Sequence, residues 1–146
     1  MSILRFFTFI CLIFSIQSFS QDWLVNIELA KSRALAEDKS IVLVFQGSDW
    51  CAPCMKLDRE IWSTKEFQNL AQDSFIMLKA DFPRRKQNQL SEEQKSHNNK
   101  LAEQYNTYGY FPYVVVLDAK GKALGSIGYE KSSPKIYYNK LKSFAN

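Results

Sequence analysis

A chain of 146 residues with 19 Lys and Arg against 15 Asp and Glu carries a formal charge of only +4. That balance is too mild for a nucleic-acid partner, and the length suits one core rather than two. Collagen-like, heptad and solenoid repeats are absent from the sequence, which excludes fibrous and repeat architectures.

The first stretch, MSILRFFTFICLIFSIQSFS, has the layout of an export signal: Arg5, an apolar run from Phe6 to Ile16, then small residues at Ser18 and Ser20. The run is well short of the roughly twenty residues that a membrane-spanning helix needs. We therefore expect 1–20 to be a signal peptide cleaved before Gln21, with no stable membrane insertion afterwards and a periplasmic or secreted destination. A retained N-terminal anchor is the competing reading, and it would need a longer apolar run. Residues 21–146 then form one domain. Cys11 leaves with the signal, so the exported chain keeps only Cys51 and Cys54.

Asp22 caps an expected helix from about Trp23 to Glu37, in which Trp23, Ile27, Ala30, Ala34 and Leu35 recur at helical spacing. Ile41 to Phe45, IVLVF, is a continuous β-branched run, the pattern of a strand buried on both faces. GSDWCAPC follows, and a helix is expected from Ala52 to about Trp62, with Pro53 in its first turn, where a missing N–H costs nothing. Ser63 or Thr64 caps a further short helix with Phe67, Leu70 and Ala71 facing inward. A second buried strand runs from Phe75 to Phe82 and ends at Pro83.

The polar segment Arg84 to Lys100 reads as a solvated surface arm, since charge runs usually just face water. A helix through Leu101, Ala102 and Tyr105 follows, with Asn106 as a left-handed stop. Tyr113 to Asp118 and Ala123 to Tyr129, joined by the turn AKGK, form an antiparallel hairpin. Ser133 and Pro134 open a final helix with Ile136, Tyr137, Leu141 and Phe144 on its buried side. The order α-β-α-β-α-β-β-α is an α/β fold, a central mixed sheet flanked by helices.

Cys51 and Cys54 pose a choice between metal, staple and redox pair. A bridge across so short a loop removes little chain entropy, which argues against a staple. Structural zinc wants four ligands, and beyond the two cysteines there is one histidine, His97. Copper held by two soft thiolates lacks further ligands nearby other than Met55. No metal is expected, and exchange chemistry is the reading left standing. At the end of a strand and the start of a helix, free N–H groups and the helix dipole favour a thiolate, so Cys51 is the expected nucleophile. Cys54, one turn on, resolves the mixed disulfide.

WCAPC after a buried strand, a proline opening the second half, and the closing hairpin and helix resemble the thioredoxin superfamily. In particular they resemble its exported single-domain members with an extra N-terminal helix. The resemblance covers nearly the whole of 21–146 and implies a thiol:disulfide oxidoreductase without a cofactor. It implies disulfide-containing protein substrates and an electron-donating thiol protein as partners. It also implies a cis proline at Pro112, with Phe111 offering its backbone to a substrate strand and Trp50 shielding the sulfurs. Ala-Pro between the cysteines is closer to the Gly-Pro of reducing members than to the His-containing pairs of oxidising ones, which favours a reductase of protein disulfides in the cell envelope over an oxidase or isomerase. A binding or chaperone-like module using Tyr108 to Phe111 is the alternative from another class.

One departure stands out. Thioredoxins proper bury an acid and a lysine near the second cysteine; counted without gaps from Cys51 the acid's position falls on Phe45, and aligned on Asp81 the lysine's falls on Met77. Two apolar residues there would leave Cys54 to lose its proton to water, or to Asp49 or Lys56, and would make resolution slower or differently pH-dependent.

Overall fold

The computed structural model describes residues 21–146. The expected signal peptide, Cys11 included, lies outside the described residues.

Strand β2, Ser40–Gln46, is the IVLVF run, and β3, Phe75–Asp81, pairs with it in parallel, Ser40 opposite Phe75 through Gln46 opposite Asp81. Continuous apolar runs suit this central position because both faces of the sheet are covered. Strand β4, Tyr113–Leu117, lies antiparallel on the other side of β2, and β5, Ala123–Ile127, closes the hairpin. Gly121 takes a φ of +88° in the connecting turn, a conformation that glycine adopts without a side-chain clash.

A two-residue strand β1, Trp23–Leu24, adds in parallel to the outer edge of β3, giving the order β1-β3-β2-β4-β5 among the described residues. Here the sequence expectation needs correcting. Trp23 is in a strand, and helix α1, Ile27–Glu37, begins four residues later, capped by Asn26, whose side chain accepts from the Leu29 N–H. Asp22 caps nothing and instead pairs with Arg33 at 2.6 Å. Ala30 and Ala34 are buried as expected, whereas Leu35 is exposed.

Alternation along β2 and β3 divides the core into two layers. On one face Val42, Val44, Phe75 and Met77 meet Leu57, Ile61 and Trp62, then Phe67 and Ala71 of α3, Lys65–Ala71, and Tyr137 and Leu141 of α5, Pro134–Phe144. On the other, Ile41, Leu43, Phe45, Ile76, Leu78 and Ala80 meet Ala30 and Ala34 of α1 and Leu101 of α4, Glu92–Tyr105. Helix α3 is capped by Thr64 and α5 by Ser133, each side chain accepting from an N–H three residues on. Ile136, expected inside, is exposed, because the buried stripe of α5 runs through Tyr137 and Leu141.

Segment 84–100 is not a free arm. Helix α4 starts at Glu92 under a Ser91 cap, and its first two turns are tied down by polar side chains. The Asn98 amide, 2% exposed, donates to the Asp81 carbonyl at the end of β3. Gln94 donates to the Val25 carbonyl, and His97 Nε2 accepts from the Ile27 N–H. Asn106 is also not left-handed: its φ is −137°, and its side chain brackets the backbone of Tyr110 with two hydrogen bonds of 2.9 Å. Gly109, at φ +68°, makes the left-handed turn instead.

Candidate active site

Cys51 closes the loop that leaves β2 and caps helix α2, Ala52–Leu57, with Pro53 in the first turn. The Cys51 N–H donates to the Gly47 carbonyl at 2.9 Å, which folds the loop back on the strand end. Cys51 Sγ accepts from the Cys54 N–H at 3.2 Å, so the sulfur occupies the place of a capping oxygen at the helix start. Helix α2 continues into a π-helical segment, Asp58–Trp62, whose Ile61 and Trp62 anchor it in the core. Cys51 and Cys54 are joined in a disulfide, with Cα atoms 5.2 Å apart, and both are only 4% exposed.

Trp50 immediately precedes the pair. Its indole N–H donates to the Phe82 carbonyl at 2.7 Å, and its ring meets Phe111 edge-on at 5.3 Å. A Cβ at Gly47 would lie 2.1 Å from the Trp50 ring, so only glycine lets the indole lie against the loop. The Phe111–Pro112 peptide is cis, as the resemblance implied, and Pro112 is buried. Phe111 also meets Phe82 edge-on at 5.5 Å. Its backbone N–H and C=O bond no other described residue, which leaves both for an added strand. Of the five residues expected at the site, Cys51 and Cys54 are bonded to each other, Trp50 precedes Cys51 and meets Phe111, and Pro112 follows Phe111 through the cis peptide.

The expected pair beneath Cys54 is corrected by the sheet's alternation. Phe45 packs on the α1 and α4 face and Met77 on the α2 face, so the two positions do not share a layer. The count from Cys51 lands on Phe45, one residue from the cleft-facing Gln46 and so on the opposite face, and the count from Asp81 lands on Met77, two residues short of Lys79 on the same face. The residues that do line a cleft of about 360 Å³ with Cys54 include Gln46, Asp58, Arg59 and Lys79. The lysine in this lining is Lys79, whose ammonium lies 5.1 Å from the Trp23 ring centre, and the acid in it is Asp58, from the π-helical segment. A second cleft of about 410 Å³ is lined by Arg33 and Phe75 at the opposite end of the strands, away from the cysteines.

Asp49 and Lys56 are engaged elsewhere. Lys56 lies over the Tyr129 ring at 5.4 Å. Asp49 accepts from the Arg84 and Arg85 N–H groups at 2.9 Å and from the Asn88 amide at 3.1 Å, and thus latches the post-β3 loop to the redox loop. Those bonds, the Arg84 N–H foremost, hold its carboxyl below the usual carboxylate range. A depressed folded value means that the latch is at full strength above the ordinary carboxyl range and is lost as pH falls through the folded value. Amide exchange at Arg84 and Arg85, corrected for intrinsic rate, is expected to be slow at neutral pH and to accelerate on acidification. Protection that is the same throughout would show that Asp49 does not hold this loop.

Sequence reasoning missed three parts of the site. Arg84 stacks its guanidinium on Trp50, with Cζ 3.7 Å from the ring centre. Asp81 accepts from the Ser48 N–H and hydroxyl at 2.9 and 2.6 Å and fixes the same loop from the strand side. Gln46 faces the cleft with Cys54. The period-2 pattern of β2, which puts Val42, Val44 and Gln46 on one face, was the available signal for the last.

Comparison with known proteins agrees with this geometry. The family described as thioredoxin-like matches residues 22–119. The disulfide bond reductase DsbH of Chlamydia pneumoniae is 39% identical over 107 residues, 73% of this chain and 63% of that protein, so the match spans under two thirds of the relative. A solved DsbH oxidoreductase superposes with a TM-score of 0.79 at 34% identity, covering 89% of this chain and 88% of that one. A thioredoxin from Thermus thermophilus, at 15% identity and a TM-score of 0.64 over 87% of this chain and 88% of its own, shares the fold. With a matching family profile, the α/β sheet order and the Cys51–Cys54 pair at the start of α2, the chain belongs to the thioredoxin-like family.

Proposed function

We propose that this protein is a thiol:disulfide oxidoreductase that reduces disulfides in other proteins outside the cytoplasm. The observation that carries the reading is the Cys51–Cys54 bridge at a helix start, next to a Trp50 whose ring meets Phe111. Likeness to a protein named as a disulfide bond reductase supports the direction. The export-signal layout of 1–20 supports a periplasmic or secreted location.

In the reduced protein, the helix start favours Cys51 as the thiolate. It attacks one sulfur of the substrate disulfide, forming a Cys51–substrate bond and expelling the other substrate sulfur as a thiolate that takes up a proton. Cys54 then loses its proton into the polar cleft it lines and attacks Cys51 Sγ. The second substrate thiol leaves, and the Cys51–Cys54 bridge remains. Two electrons pass from the dithiol to the substrate, so a thiol-protein donor must reduce the bridge before the next round. No cofactor enters these steps. Phe111 holds the substrate chain as an added strand, and Trp50 covers the exchanging sulfurs.

The test is to mix the reduced protein with a stable disulfide protein such as insulin, and the oxidised protein with a reduced, unfolded one. Faster reduction of insulin is the result that this reading requires. Preferential oxidation of the dithiol substrate would make the protein an oxidase, and inertness in both assays would leave the binding module.

A further inference from the structure

Segment 83–89 carries an unbalanced charge. Arg84, Arg85 and Lys86 are consecutive, exposed and free of ion pairs among the described residues. The two carboxylates that hold this loop bond local donors, although Asp49 is also stabilised by the charge of Arg85. Asp49 is occupied by the Arg84 and Arg85 N–H groups and the Asn88 amide, and Asp81 by Ser48 and the Phe82 N–H. The acids thus fix the loop while its three cations face solvent.

The Arg84 guanidinium is also held in place. It lies over the Trp50 indole with Cζ 3.7 Å from the ring centre, and the indole is itself pinned by the Phe82 carbonyl and packed on Phe111. A stacked guanidinium keeps its edge N–H groups free to meet a carboxylate, and stacking reduces the rotamer entropy lost when it does so. Trp50 adjoins Cys51, and Phe111 carries the backbone left for a substrate strand, so one contiguous surface joins cation, indole, sulfur and strand edge.

We propose that Arg84, supported by Arg85 and Lys86, is a specificity-determining residue that selects disulfide-bearing polypeptide segments with an acidic side chain close in sequence to the attacked cysteine. This rests on the reductase reading and names the substrate class it favours. The carboxylate of the bound segment pairs with the Arg84 guanidinium while its backbone adds to Phe111. The mild overall charge of the chain makes this a local preference rather than a general attraction.

The test uses two short peptide disulfides that are identical except for glutamate or lysine flanking the cysteine, each reduced by the full-length mature protein at low and at high salt. The acidic peptide is expected to be reduced about tenfold faster at low salt, with the gap narrowing at high salt. R84E should reverse the order, R84Q should largely erase it, and R84K should keep part of it. A role confined to shielding the sulfurs would slow both peptides alike and leave their ratio fixed. Equal rates in the wild type, or a ratio that R84E does not move, overturns the proposal. If the wild type reduces neither peptide while dithiothreitol reduces both, the reductase reading itself fails and takes the proposal with it.

Discussion

Replacing Cys51 with serine is expected to lower disulfide reduction by about a thousandfold or more, while replacing Cys54 with alanine stops the reaction at a different point. The asymmetry follows from position. Cys51 caps α2 and adjoins Trp50, whereas Cys54 lies one turn along the helix and lines a cleft with Gln46 and Lys79. A hydroxyl at 51 has neither the acidity nor the nucleophilicity of a thiol, so no first step occurs. Without Cys54, attack still occurs but resolution does not, and each protein molecule releases one substrate thiol and keeps the other partner covalently. Mass spectrometry of Cys54→Ala after mixing with a disulfide substrate should show that adduct on Cys51. Free turnover by Cys51→Ser, or an adduct-free Cys54→Ala, contradicts the assignment.

The largest effect on stability is expected at Trp62. Its side chain is 2% exposed and meets Phe67 at 4.9 Å, Tyr137 at 5.4 Å and Trp23 at 6.0 Å, all edge to face. It therefore joins the π-helical segment to α3, α5 and the edge strand. Truncation to alanine removes the ring's transfer free energy and leaves a cavity that four separate elements cannot all close. We expect a loss of about 3–5 kcal/mol, against a total of about 5–15 kcal/mol for an ordinary domain. Because Trp62 ends the helical segment that begins at Cys51, the same variant should lose redox activity before it unfolds completely. Trp62→Phe, which keeps an aromatic plug, should recover much of the difference. Urea denaturation of the oxidised proteins measures this, and a loss below about 1 kcal/mol for Trp62→Ala would mean that this aromatic cluster does not hold the layer together.

The parts of the fold legible in the sequence are those written in apolar pattern. IVLVF and FIMLKA read as buried strands because both faces of β2 and β3 are covered, and Ser133-Pro134 marks the start of α5 because each residue suits its cap position. Misread parts have other physics. Trp23 sits at helical spacing from Ile27, yet a two-residue strand needs only an open edge of β3, which no local pattern announces. Segment 84–100 reads as solvated because polar residues usually are. Here Asn98, Gln94, His97 and Asp49 anchor it by hydrogen bonds, and hydrophobic periodicity carries no trace of those. Phe45 is a parity error, since a count from Cys51 knows nothing of which face a strand residue takes, whereas Met77, counted from Asp81, keeps the face of Lys79 and falls two residues short of it. Pro112 was legible as cis only through the family resemblance, and the Arg84–Trp50 stack not at all, because it joins residues brought together by the Asp49 latch.

The most direct measurement of the central claim is the alkylation of the reduced protein at neutral pH, followed cysteine by cysteine. Cys51 should react several-fold faster than a thiol in an unstructured peptide, because its ionised form is favoured at the helix start, and Cys54, which lacks the capping position, should react more slowly than Cys51. Modification of Cys54 first, or of Cys51 no faster than the peptide, would contradict the account.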